Sequence, residues 1–225
     1  MTVKAMLFDA GGTLVLQHPD LMGNVLGVEL EPDACFEAHY LAMDAYSRMW
    51  SGGERRYGWE WWLEHYFTTL GVPSPAEAGS RIRFGHGMWS FPLPGVEAGV
   101  RRILDRGLRC AVISNSDGSI RASLEEAGLS HLFEFVIDSA EVGCKKPDPE
   151  IFALGVEQLG GVSSLDVAYV GDSVFHDVAG ARRAGYAQAW LVDPLGLNPD
   201  QARRVPSVAE LGEALDGRDA PDSGF

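Results

Sequence analysis

From residue 96 onward, short apolar runs alternate with helical stretches, and that alternation leaves the chain few architectures. Cys110-Ala111-Val112-Ile113, Phe135-Val136-Ile137, Val167-Ala168-Tyr169-Val170 and the run from Gln188 to Val192 have the length and side chains of buried strands. Between and around them, residues 96–106, 120–127, 149–159 and 178–184 carry helical spacing. Strands separated by helices predict a parallel sheet covered on both faces, because parallel neighbours need a crossover connection. The apolar run at residues 3–8 supplies one more strand. The expected fold class is α/β, a doubly wound parallel-sheet core of Rossmann-like type.

Residues 17–92 break this rhythm. They hold no convincing strand, but carry helical spacing and a dense aromatic set: Phe36, Tyr40, Tyr46, Trp50, Tyr57, Trp59, Trp61, Trp62, Tyr66 and Phe67. Ser51-Gly52-Gly53 and Gly71-Val72-Pro73 divide the stretch into helices, and Phe91-Pro92-Leu93-Pro94-Gly95 ends it. Since the first strand belongs to the later sheet, 17–92 reads as a helical insertion, with 1–16 and 93–225 forming the core. Its tryptophans are expected mainly to fill the insertion's own interior. Adjacent Trp61 and Trp62 cannot share a helix face. The polar tail from Asp216 to Phe225 is expected to be mobile.

A formal net charge of −14 argues against polyanionic partners, both nucleic acid and anionic membrane. No apolar run approaches the about 18 residues that span a bilayer. Three scattered cysteines (Cys35, Cys110, Cys144) have neither metal-site spacing nor the even count of a disulfide framework. With no signal-like pattern at the N-terminus, a cytoplasmic location is the expectation. Lysines are scarce: Lys4, Lys145 and Lys146 are the whole set.

In an open parallel sheet, sites form beyond the carboxyl ends of the strands. After the first strand comes Asp9-Ala10-Gly11-Gly12-Thr13; after the second, Ser114-Asn115-Ser116. Lys145-Lys146-Pro147-Asp148-Pro149 follows the third, and Gly171-Asp172-Ser173-Val174-Phe175-His176-Asp177 the fourth. Each alone reads as a helix cap or a turn. All four in order bring carboxylates, a hydroxyl and an ammonium to one edge, enough for a divalent cation and a phosphate together.

That ordered set resembles the haloacid dehalogenase-like hydrolase superfamily over nearly the whole chain. The resemblance makes Asp9 the nucleophile, Ser114 the phosphoryl-binding hydroxyl, Lys146 the lysine of the third motif, and Asp172 with Asp177 the acidic fourth motif. It makes residues 17–92 a cap over the site. It further implies Mg²⁺ held by Asp9, the backbone carbonyl of Gly11 and Asp172, with Asp177 in support. Ser114, Asn115 and Lys146 would hold the phosphoryl oxygens of a small phosphate ester, hydrolysed through an aspartyl-phosphate.

The sequence departs from the family's phosphatases at one place. They carry a second Asp two residues after the nucleophile, and here that position is Gly11. General acid–base help is worth roughly a hundred- to ten-thousand-fold. His18 and His86 are candidate substitutes, and an Asp introduced at position 11 is expected to restore the acid if the loop accepts it. Two alternatives stay open: a metal-independent 2-haloacid dehalogenase, with Arg48, Arg55 or Arg56 on the substrate carboxylate, and a degenerate ligand-binding member. Asp172 weighs against the first. A phosphonate-cleaving reading fails because residues 17–92 contain no lysine.

Overall fold

The structure, a computed structural model, describes residues 3–53, 58–82 and 87–216. Arg55, Arg56, Tyr57, His86 and the tail beyond 216 lie outside the described residues. The chain opens with β1 (Ala5–Phe8), β2 (Val15–Leu16) and the helices α1 (Pro19–Leu26), α2 (Pro32–Ser51), α3 (Trp59–Thr69) and α4 (Pro75–Arg81). Then come β3 (Phe91–Pro92), α5 (Val96–Leu104), β4 (Arg109–Ser114), α6 (Ile120–Glu126), β5 (Val136–Asp138), α7 (Ser139–Val142) and α8 (Pro149–Gln158). The chain closes with β6 (Val167–Gly171), α9 (Ala179–Arg183), β7 (Gln188–Val192), β8 (Arg204–Val205) and α10 (Val208–Asp216).

One six-stranded sheet runs in the order β5-β4-β1-β6-β7-β8. All its pairings are parallel, with Leu7 of β1 opposite Ala111 on one side and Tyr169 on the other. Successive residues of β1 face opposite layers. Met6 and Phe8 join Val112, Val170, Trp190, Leu124 and Leu211 on one face. Leu7 joins Ile113, Tyr169, Ile151, Phe152 and Ala181 on the other. Both β1 and β6 are buried along their whole length, which is why they read as unbroken apolar runs. The chain builds outward from β1 through β4 to β5, then returns beside β1 with β6. That reversal opens the crevice between the ends of β1 and β6.

Three short features were not visible in the sequence. β2 and β3 pair antiparallel as a two-residue ribbon, Val15 opposite Pro92 and Leu16 opposite Phe91. β8 adds two residues at the sheet edge. Segments so short show no period-2 pattern. The helix expected over 178–184 is preceded by a π-helical turn, Val174–Val178, in which the Val178 N–H reaches the Ser173 carbonyl.

Helices α1–α4 surround an apolar cluster of their own. Its centre is Trp62, fully buried between Trp59 (ring centroids 4.3 Å apart, 8° between planes) and Tyr66 (5.0 Å, 13°). Trp61 takes the other side of α3 and stacks on His65 at 3.5 Å. On α2, His39, Tyr46, Ser47 and Trp50 follow helical spacing and face the turn after β6. Ser47 and Ser173 share a hydroxyl–hydroxyl bond of 2.8 Å, Tyr46 stacks on His176 at 5.4 Å, and Trp50 on Phe175 at 5.6 Å.

Trp62→Ala should cost about 3–5 kcal/mol, the usual loss for a fully buried aromatic, whereas the half-buried Trp61→Ala should cost much less. Urea unfolding midpoints of the two variants check the contrast.

Candidate active site

Where β1 ends, the backbone folds back on itself. The Ala10 carbonyl accepts from Leu14 N–H (2.8 Å) and Val15 N–H (3.0 Å), and Gly12 N–H donates to the Val15 carbonyl at 2.8 Å. Gly12 takes a left-handed φ of +71°, and a Cβ there would overlap both the Asp172 carboxylate and the His39 ring. Only glycine fits. Asp9, kept in line with β6 by its N–H to the Val170 carbonyl (2.8 Å), projects beyond the strand.

At the end of β6, Asp172 lies at the crevice, and the π-turn folds Asp177 back beneath it. The Ser173 N–H donates to Asp177 Oδ2 at 2.9 Å. Gly171 has no side chain because a Cβ there would overlap the Asp177 carboxylate. Asp9, Asp172 and Asp177 each offer an oxygen within 4.8 Å of the others, and all three are buried.

Lys146 joins this cluster. Its ammonium donates to Asp9 Oδ1 (2.5 Å), Asp177 Oδ1 (2.7 Å) and the Tyr169 hydroxyl (3.1 Å), which itself donates to the Ile113 carbonyl at 2.9 Å. Asn115 clasps the lysine's backbone, its Nδ2 donating to the Lys146 carbonyl (2.9 Å) and its Oδ1 accepting from the Lys146 N–H (2.8 Å). The Asn115 side chain is therefore committed to placing the lysine. Ser114 ends β4 at the same sheet edge, buried.

The charges decide what the cluster can hold. Burial lifts the Asp9 carboxyl to about 7; Lys146 opposes the rise, while Asp177 and Asp172 add to it. Asp172 is pushed well above the usual carboxylate range by burial and by Asp177. Burial works against the Lys146 ammonium, but Asp177 and Asp9 outweigh it and hold it above its ordinary value. Three buried carboxyl groups face one ammonium, and the burial and crowding that raise Asp9 and Asp172 are what a bound cation would relieve. An all-oxygen donor set of this kind fits a hard divalent cation such as Mg²⁺.

Helix α2 and the segment before β3 contribute residues that the sequence reading missed. His39, fully buried, lies with Nε2 2.7 Å from Asp172 Oδ2. Burial pushes its imidazole down to about 3, against the pull of Asp9, so the ring is neutral. Tyr40 donates its hydroxyl to the Gly12 carbonyl at 2.7 Å. A histidine on an otherwise apolar helix face is the one signal that pointed to His39, and such a residue is usually ordinary core.

Gly11 is not left-handed, so its backbone would accept a side chain; the obstacle is space. A Cβ there would come within 2.7 Å of the Trp89 indole. Whether position 11 accepts an Asp therefore turns on Trp89, whose indole occupies that room. His18 packs edge-on against Phe91 and makes no hydrogen bond to the Asp9–Lys146 cluster among the described residues.

Comparison with known proteins points one way. A model of the haloacid dehalogenase-like hydrolases matches residues 3–185. Human haloacid dehalogenase-like hydrolase domain-containing protein 3 is 30% identical, the match covering 96% of this chain and 95% of that protein. A phosphoserine phosphatase of Thermus thermophilus is 38% identical over 56% of this chain and 51% of its own length. Haloacetate dehalogenase H-2 of a Moraxella species is 32% identical over 48% of this chain and 51% of its own length. Among solved structures, the magnesium-bound HAD-hydrolase YfnB of Bacillus subtilis shares the fold with a TM-score of 0.69 at 17% identity, covering 96% of this chain and 100% of that one.

Gly11→Asp alone should lower the melting temperature, because the indole of Trp89 must move, at a cost of about 1–3 kcal/mol for an overpacked site. Adding Trp89→Ala should make the two changes non-additive, with the aspartate less costly in that background. A double-mutant cycle by thermal unfolding measures the coupling.

Proposed function

The chain belongs to the haloacid dehalogenase-like hydrolases, and from that premise we propose that it is a Mg²⁺-dependent phosphatase of small phosphorylated metabolites. The observation that carries this reading is the excess of buried carboxylate over ammonium at Asp9, Asp172 and Asp177. A metal-independent dehalogenase would have to bury Asp172 beside Asp9 and Asp177 with no cation to offset the crowding.

Asp9 attacks phosphorus in line, forming an acyl-phosphate and expelling the leaving oxygen as its anion; water then cleaves that acyl-phosphate, releasing inorganic phosphate and restoring the carboxylate. Lys146 orients Asp9 and neutralises phosphoryl charge, while Ser114 and the Asn115 turn meet the remaining oxygens. Asp9, Asp172 and the backbone carbonyl of Gly11 would hold Mg²⁺, supported by Asp177, and the ion would offset charge on the transferring phosphoryl group. With glycine at position 11 and an indole over it, no carboxylic acid protonates the leaving oxygen from that position. The favoured substrates are then those whose leaving group departs as a stable anion, aryl and acyl phosphates.

Helices α1–α4, within residues 17–92, act in this reading as a cap that must lift to admit substrate, since Asp9 is 7% and Lys146 3% exposed. The β2–β3 ribbon is its attachment, and closure excludes water.

Asp9→Asn should abolish phosphate release without loss of fold, and excess chelator should do the same to the wild type. Turnover should fall steeply as leaving-group basicity rises across a series of aryl and alkyl phosphates. Chloride release from a haloacid in chelator would replace this reading with the dehalogenase. Hydrogen exchange with and without a phosphate analogue should show altered protection in the helical segment or its ribbon; an unchanged pattern at saturation counts against a moving cap.

A further inference from the structure

The contact between His39 and Asp172 joins the helical segment to the acidic cluster, and both side chains are at most 1% exposed. His39 Nε2 lies 2.7 Å from Asp172 Oδ2, and a carboxylate can only accept, so the ring proton sits on Nε2 and is donated to Asp172; Nδ1 faces the Gln17 amide at 3.5 Å. Tyr40, Trp62 and Trp89 meet the ring edge-on at 5.1, 5.4 and 6.0 Å, which fixes its plane. The chain also keeps position 12 free of a side chain at the point where this pair meets. A histidine whose only task was to fill space there would carry an uncompensated desolvation cost that leucine or phenylalanine would not.

We propose that His39 is a positioning residue for the cation site: it pins one oxygen of Asp172 and turns the other toward the ion. This rests on the reading of Asp172 as a cation ligand. Without the donor, the Asp172 carboxylate is free to rotate away from Asp177, whose negative charge repels it. Partners that orient a ligating carboxylate typically contribute about 10- to 100-fold to metal affinity.

The test is metal binding to the substrate-free protein, with Mg²⁺ by calorimetry and Mn²⁺ by electron paramagnetic resonance. His39→Phe fills the space but donates nothing, and should weaken binding by about 10- to 100-fold. His39→Gln, which restores an N–H donor near the Nε2 position, should recover most of the loss. Circular dichroism and melting of the metal-free variants establish that each is folded; if His39→Phe is not, the comparison of His39→Gln with His39→Leu carries the same test. Variants that bind both ions as tightly as the wild type overturn the inference and leave the phosphatase reading standing, as does a His39→Gln no better than His39→Phe. A wild-type protein that binds neither ion overturns both.

Discussion

The Lys146 ammonium, set between the carboxylates of Asp9 and Asp177, is the interaction on which the rest of this structure depends. Breaking a buried pair by removing one partner costs about 3–5 kcal/mol, because the remaining charge is left without compensation. Every neighbouring element serves to hold that ammonium in place. β1 and β6 end side by side at the reversal of strand order, so Asp9 and the Asp172–Asp177 turn come together. Asn115 fixes the lysine's backbone from the end of β4, and Tyr169 supports its head from the middle of β6. One ammonium does not balance three carboxylates, and that shortfall is what makes a divalent cation the natural complement.

The same crowding explains how the helical segment meets the sheet. Glycine at position 12 leaves room for His39 against Asp172, and the Tyr40 hydroxyl holds the Gly12 carbonyl from the same helix turn. Gly11 leaves room for the indole of Trp89. The two glycines that follow Asp9-Ala10 are thus both faced by residues of the helical segment and its return to the sheet. The missing carboxylate at position 11 is accompanied by a change in what fills the space. The room beside Gly11 is thus taken by an apolar wall.

Much of the core was legible because its signals are local. The strands around β1 are unbroken apolar runs, and the residues just past them are where an open parallel sheet gathers a site. That rule marks out the segments holding Asp9, Lys146, Asp172 and Asp177, and the family resemblance singles out those four residues within them. The ribbon of β2 and β3 could not, since two residues carry no period, and Pro92 within it reads as a break. The π-turn that carries Asp177 could not be foreseen ahead of the helix expected at 178–184, because one extra residue per turn leaves no mark on composition. The clasp of the Asn115 side chain on the backbone of Lys146, thirty-one residues away in sequence, likewise leaves no local mark.

Taken by itself, the sequence determined the α/β alternation, the helical insertion's aromatic interior and the order of polar residues at the strand ends. Those follow from side-chain periodicity and from turn chemistry, which act over a few residues. Only the tertiary structure decided that His39 meets Asp172 across 133 positions, that Trp89 fills the space beside Gly11, and that Lys146 bridges Asp9 and Asp177. Such contacts depend on how distant segments pack against one another, which is set by shape and charge in three dimensions and which no local pattern encodes.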